Sequence, residues 1–115
     1  MPKKKKLPPV HPGEVLQADF LEPLGMSQNE LAREIRVSSS RITPIVNGKR
    51  SVTPEMALRL GRFFRTGPEF WIGLQRKYDL QVAEDKLASE IERGIDPIKK
   101  DRLAMASHFI IADGV

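Results

Sequence analysis

From Met26 to Arg50 the chain reads M-S-Q-N-E-L-A-R-E-I-R-V-S-S-S-R-I-T-P-I-V-N-G-K-R. No other stretch restricts the fold as much. Leu31, Ala32 and Ile35 recur at i, i+1, i+4, and Ile42, Ile45 and Val46 at i, i+3, i+4, so two short amphipathic helices are predicted. Ser27 is a good N-cap, and Glu30 three residues later completes a capping box. The predicted first helix runs from Gln28 to about Ile35. Ala32 is small where two helices must cross closely. The turn is Arg36-Val37, with Val37 pointing into the core. Ser38 caps the next helix, and Asn47-Gly48 supplies the left-handed residue that ends it.

The outer face of the second helix is polar or basic. It carries Ser39, Ser40, Arg41 and Thr43, with Lys49 and Arg50 just beyond. From Ile35 to Pro54 there is no Asp or Glu. Two short helices with such a second member have helix-turn-helix geometry, in which the second helix enters the DNA major groove. DNA offers phosphates to Lys, Arg, hydroxyls and helix N-termini, and base edges to Arg, Asn, Gln, Ser and Thr. The predicted contacts are therefore Gln28, Ser38, Ser39, Ser40, Arg41, Thr43, Asn47, Lys49 and Arg50. Gln28 faces the backbone, Arg41 is the long donor for a guanine, and Lys49 and Arg50 suit flanking phosphates. Each has a plainer reading taken singly: serines at a helix start are usually caps, and Arg41 alone is a solvated helix residue. The acid-free stretch and the helix spacing together favour DNA.

The other helices follow from punctuation. His11-Pro12-Gly13-Glu14 opens a helix carrying Val15, Leu16, Phe20 and Leu24, which Pro23 and Gly25 end. Thr53 caps a fourth helix with Pro54 at its first position and Met56, Leu58, Leu60, Phe63 and Phe64 following. Gly67-Pro68 separates a fifth, which starts near Glu69 and runs on to Gly94. Asp96-Pro97 starts a last helix, Ile98 to about Ile111, carrying Met105, Phe109 and Ile110. A short strand at His108 to Ile111 is the minority alternative. The fold expected is all-α: a five-helix lambda-repressor-like helix-turn-helix bundle with a C-terminal helical extension. Residues 1–10 form a disordered basic arm, 11–80 the DNA-binding domain, and 81–115 an extension for dimer or toxin contact.

Charge is unevenly spread. Of 19 Lys and Arg and 15 Asp and Glu, residues 1–80 hold 14 and 8, and residues 81–115 hold 5 and 7. The basic excess thus lies with the candidate DNA-binding part. There is no cysteine, which excludes a disulfide framework or thiolate metal site and suits a reducing cytoplasm. No apolar run approaches the roughly 18 residues of a membrane span. The lysine-rich start lacks the apolar core of a signal peptide.

Four stretches resemble a known family. They are His11-Pro12-Gly13-Glu14; Leu24-Gly25-Met26-Ser27-Gln28 with Glu30-Leu31-Ala32; Ile42 with Ile45-Val46-Asn47-Gly48-Lys49-Arg50; and Pro68-Glu69-Phe70-Trp71 with Leu74-Gln75 and Tyr78-Asp79-Leu80. In this order the chain resembles the HigA-type (VapI or plasmid-maintenance) antitoxins, a branch of the Xre/Cro-like repressors. The resemblance implies a bacterial, cytoplasmic, nucleoid-associated homodimer on an operator palindrome at its own promoter. It also implies neutralisation of a co-encoded HigB-type toxin, an mRNA-cleaving ribonuclease of RelE-like fold. Gln28, Ser39, Ser40, Arg41, Thr43, Lys49 and Arg50 fall on the family's DNA-facing sites. Two residues depart from the pattern. Pro44 lies inside the recognition helix, where its ring opposes the Ser40 carbonyl. Arg36 stands where the turn commonly has glycine.

Trp71, Leu74 and Tyr78, on the fifth helix, are expected to support the core and border a dimer seam, because two recognition helices must lie about one DNA turn apart. Catalysis finds no footing: there is no glycine-rich phosphate loop and no nucleophile beside a base. His11-x-x-Glu14 reads as helix entry rather than a metal pair. No metal, cofactor or membrane partner is expected. Three functions stay open: antitoxin and autorepressor, stand-alone Xre-family repressor without a toxin, and a protein-binding module that has lost DNA affinity through Pro44.

Overall fold

The computed structural model describes residues 7–106. They are helical, with no strand among the described residues. Helix α1 spans residues 12–24. It begins as Pro12–Val15, widens to a π-helix over Leu16–Leu21 and closes with Glu22–Leu24. Then follow α2 (Gln28–Ile35), α3 (Ser39–Val46), α4 (Pro54–Phe64), α5 (Pro68–Gly94) and α6 (Lys100–Leu103). The chain divides into two compact units at Glu84/Asp85.

The π-segment of α1 answers to Pro23. In a regular α-helix that ring would meet the carbonyl of Asp19. The wider register instead lets the Glu22 N–H bond the Gln17 carbonyl. It also changes which residues face inward. Leu16 and Leu21 are buried, whereas Leu24, expected on the inner face, is 61% exposed. One extra residue in the turn leaves Glu22, Pro23 and Leu24 facing outward.

α2 has the predicted span and buries the predicted Leu31, Ala32 and Ile35. The Ser27 hydroxyl accepts from the Glu30 N–H at 3.0 Å. The complete reciprocal capping box lies at α1: His11 Nδ1 accepts from Gly13 N–H at 2.9 Å, and Glu14 accepts from His11 N–H at 3.3 Å. Arg36 is left-handed (φ 63, ψ 47), a conformation costing about 1–2 kcal/mol for a residue with a Cβ. Its cost is offset from α4. Arg59 donates to the Ile35 carbonyl at 2.7 Å and the Arg36 carbonyl at 3.4 Å, satisfying the exposed end of α2.

The core gathers Leu16, Leu21, Leu31, Ala32, Ile35, Ile42, Ile45, Val52, Met56, Ala57, Leu60 and Trp71, with Val37 and Val46 packed against it. Each large member contributes about 1.5–3 kcal/mol by leaving water. Trp71 is fully enclosed, and its indole N–H donates to Thr66 Oγ1 at 3.0 Å. Phe20, Phe64 and Phe70 surround it at ring distances of 5.0 to 6.1 Å. Thr53 and Pro54 open α4 as predicted. Leu58, grouped with its apolar positions, is instead 61% exposed, and Ala57 and Gly61 take the inner face.

Residues 85–106 carry the end of α5 and the one-turn α6. The last helix departs from expectation. Its N-cap is Lys99, not Asp96, and it ends at Leu103. Among the described residues Ile98 and Met105 are exposed and only Leu103 is half-buried, and so short a helix gains little on its own. The expected Phe109 and Ile110, the alternative strand at His108 to Ile111, and the lysine run Lys3 to Lys6 lie outside the described residues. The expected arm is described only from Leu7 onward. There the Leu7 carbonyl accepts from Gln81 Nε2 at 3.1 Å.

Candidate nucleic-acid interface

The interface is built on the outer side of α3. Ile42 and Ile45 anchor the helix below, which forces Ser39, Ser40, Arg41 and Thr43 outward; all four are exposed, as are Ser38, Asn47, Lys49 and Arg50. Gln28 is half-buried at the start of α2. The structure thus gathers all nine predicted contact residues around α3 and its two ends.

Their local bonding is specific. Ser38 sits at the N-cap with extended backbone, yet its hydroxyl makes no cap bond. It pairs instead with the Ser40 hydroxyl at 2.8 Å. The Arg41 N–H is taken by the Ser38 carbonyl at 3.0 Å, so it is the Ser39 and Ser40 N–H groups that keep their donors for another acceptor. Thr43 Oγ1 donates to Gln28 Oε1 at 2.7 Å, which ties α3 to α2 and leaves the Gln28 amide group to donate. Arg41 forms two bonds to Glu55, Nη1 to Oε2 at 3.3 Å and Nη2 to Oε1 at 3.1 Å. Glu55 also accepts from Arg59 Nε at 2.9 Å. The hydrogen bonds from Arg41, then from Arg59, hold the Glu55 carboxyl below its ordinary range, so it is charged at neutral pH.

Pro44 does not break α3, which runs Ser39–Val46 through it. The helix is short enough that only the Ser40 carbonyl loses its partner. The Pro44 carbonyl is well used: it accepts from Lys49 N–H at 2.8 Å and Arg50 N–H at 3.2 Å. With Gly48 N–H on the Ile45 carbonyl at 3.0 Å and Gly48 at φ 75, this is a Schellman ending. It fixes the backbone that carries Lys49 and Arg50.

Below the interface, the H-P-G-E opening explains its own residues. A Cβ on Gly13 would lie 1.8 Å from the Ile45 carbonyl oxygen. Only glycine lets α1 start directly under the end of α3. His11 is 5% exposed and meets Tyr78 edge-on, ring centres 4.8 Å apart. Burial lowers its pKa, while a hydrogen bond with the Arg50 backbone and the charges of Asp79 and Glu14 pull it back. His11 and Glu14 are committed to the cap and to Arg50. Among the described residues no group of three or more His, Asp or Glu is placed to hold a metal ion.

The three seam candidates differ in what they present. Trp71 is enclosed by its own chain and has no surface to offer. Leu74 and Tyr78 are half-buried and line a groove with Leu7, Pro8, Val10 and Gln81. Sequence reasoning missed Glu55 and Arg59, although Glu55 is the acid that ends the acid-free stretch and the i, i+4 spacing to Arg59 is visible. It also gave no role to Gln75. This buried amide accepts from Val52 N–H at 2.8 Å and donates to Asp79 at 2.9 Å, pinning the loop between α3 and α4.

Comparison with known proteins agrees with this geometry. A helix-turn-helix family model matches residues 18–71. The chain is 41% identical over 99 residues to virulence-associated protein I of Dichelobacter nodosus, covering 85% of this chain and 89% of that one. The structure of Pseudomonas aeruginosa antitoxin HigA with the higBA promoter superposes with a TM-score of 0.77 at 40% identity, covering 79% of this chain and 99% of that one. An addiction-module antidote protein of the HigA family from Coxiella burnetii gives a TM-score of 0.76 at 42% identity, covering 80% and 100%.

Proposed function

The chain belongs to the Xre-like helix-turn-helix family that includes the HigA-type antitoxins, and from that premise we propose that it is an autorepressing antitoxin. It binds operator DNA at its own promoter as a homodimer. It also neutralises a co-encoded, RelE-like, mRNA-cleaving toxin of the HigB type. Such a repressor works in the bacterial cytoplasm, at the nucleoid.

One observation carries the DNA reading: an exposed face of α3 that bears no acidic residue of its own, flanked by Gln28 on one side and Lys49 and Arg50 on the other. The Ser39 and Ser40 N–H groups at the start of α3 suit a phosphate. The rigid C-terminal ending places two cations one step beyond, where they suit the next phosphates along. Arg41, Ser39, Ser40 and Thr43 then face base edges. Leu74 and Tyr78 support the homodimer, since both are partly exposed apolar surface on α5.

Titration of the full chain against a fluorescent duplex from the region upstream of its gene tests this reading. Binding is expected to be at least about a thousandfold tighter than to a scrambled duplex of the same length. Equal affinity for both duplexes, together with a monomer by light scattering at micromolar concentration, would overturn it. Coexpression with a neighbouring RelE-like frame, if the locus has one, should restore growth. Operator binding without such rescue leaves the stand-alone repressor.

A further inference from the structure

Glu55 is the first acidic residue after the acid-free stretch, and its side chain reaches back to the one long donor on the recognition face. Both terminal nitrogens of Arg41 are held by its two oxygens, at 3.3 and 3.1 Å. The end-on edge of the guanidinium, one of the edges that pairs bidentately with guanine O6 and N7, is therefore occupied in the free protein. Glu55 is itself anchored. Arg59 holds it at 2.9 Å, and Arg59 is fixed by the carbonyls that end α2. The carboxylate thus stands at a set position, exposed, on the surface assigned to DNA.

We propose that Glu55 is a specificity-determining gate: it holds Arg41 away from DNA until an operator base edge outcompetes it. The proposal rests on the DNA-binding function above and adds a residue to it. Two consequences follow from charge alone. In non-specific encounters Arg41 stays neutralised, so it contributes little to phosphate attraction, and the fixed carboxylate repels the backbone. At the correct site a guanine takes both donors, and Glu55 keeps Arg59 as its partner. The pair therefore suppresses wrong binding more than right binding. Glu55 touches no base in this scheme. It acts through Arg41.

The test compares operator and scrambled duplexes by fluorescence anisotropy for the wild type, E55Q, R41A and the R41A/E55Q double variant, each over a range of salt. E55Q should tighten scrambled binding about tenfold and operator binding much less, so the specificity ratio falls. Its salt slope on scrambled DNA should steepen by about one phosphate contact. In the R41A background E55Q should leave the specificity ratio unchanged. E55D, which keeps the charge, should lie nearer the wild type. Glu55 is exposed, so the amide should not disturb folding, and the thermal midpoint of each variant confirms that. A ratio unaltered by E55Q, or altered equally with and without Arg41, would overturn the gate while leaving the DNA-binding function standing. Loss of operator preference in the wild type itself would instead remove the underlying function.

Discussion

Two regions of the molecule use polar side chains in opposite ways. Beneath α3, His11, Gln75 and the Trp71 indole are buried, and their polar atoms have fixed partners: Gly13, Glu14 and the Arg50 backbone for His11, the Val52 N–H and Asp79 for Gln75, the Thr66 hydroxyl for the indole. On α3, the Ser38–Ser40 pair, the Thr43–Gln28 bond and the Arg41–Glu55 pair are exposed, each held only by another surface side chain. A buried polar group left without its partner costs about 1–3 kcal/mol, whereas an exposed pair is worth about 0–1 kcal/mol. The lower region therefore fixes where the recognition helix sits. The upper region trades partners cheaply, which is what a surface that must accept DNA requires.

Changes below should collapse the fold, and changes above should alter only binding. The sharpest break comes from Trp71→Ala. It empties the centre of the aromatic cluster and should cost about 3–5 kcal/mol, read as a fall in thermal midpoint of roughly 12 °C or more. Gly13→Ala forces a methyl against the Ile45 carbonyl and should cost about 3 kcal/mol in a urea titration. An unchanged midpoint would mean that α1 does not enter so close beneath α3. Arg41→Ala should do the reverse, weakening operator binding by about 1–3 kcal/mol while stability in a urea titration stays within about 0.5 kcal/mol of wild type.

The smallest effect is the pH dependence of His11. Its Nδ1 must stay unprotonated to accept from Gly13, and burial lowers its pKa below the ordinary 6.5. The unfolded chain then binds the proton more readily. The stability held by neutral His11 is fully present above about pH 6.5 and is lost as the pH falls through the lower folded value. Urea midpoints from pH 7.5 to 5 should show this loss in the wild type and not in His11→Asn, whose side-chain oxygen can accept from Gly13 without titrating.

The division also marks what was legible in the sequence. α2 could be bounded to the residue, because Ser27, Leu31, Ala32 and Ile35 give cap and period within one local window. α1 was misread at Leu24, since the effect of Pro23 was to shift the helical register rather than only to end the helix. Asp96-Pro97 does not cap the final helix, which starts from Lys99; among the described residues only Leu103 is half-buried there, so a favourable cap signal is not enough to set where a helix starts. In the interface, helical period alone showed which residues of α3 face outward. The Arg41–Glu55 pair could not be read there, as its partners lie on different helices 14 positions apart. The need for glycine at position 13 was equally hidden, being set by a carbonyl at Ile45 that only the folded chain brings near.

The central claim is that DNA meets the exposed side of α3 while the buried apparatus beneath it stays fixed. Amide chemical-shift mapping of the labelled protein on addition of a duplex from its upstream region tests this most directly. The largest shifts should fall at Gln28, Ser38 to Thr43, Lys49, Arg50 and Glu55, with Gly13, Val52 and Trp71 nearly unmoved. Shifts centred on α4, α5 or the residues after Glu84, with α3 silent, would contradict it.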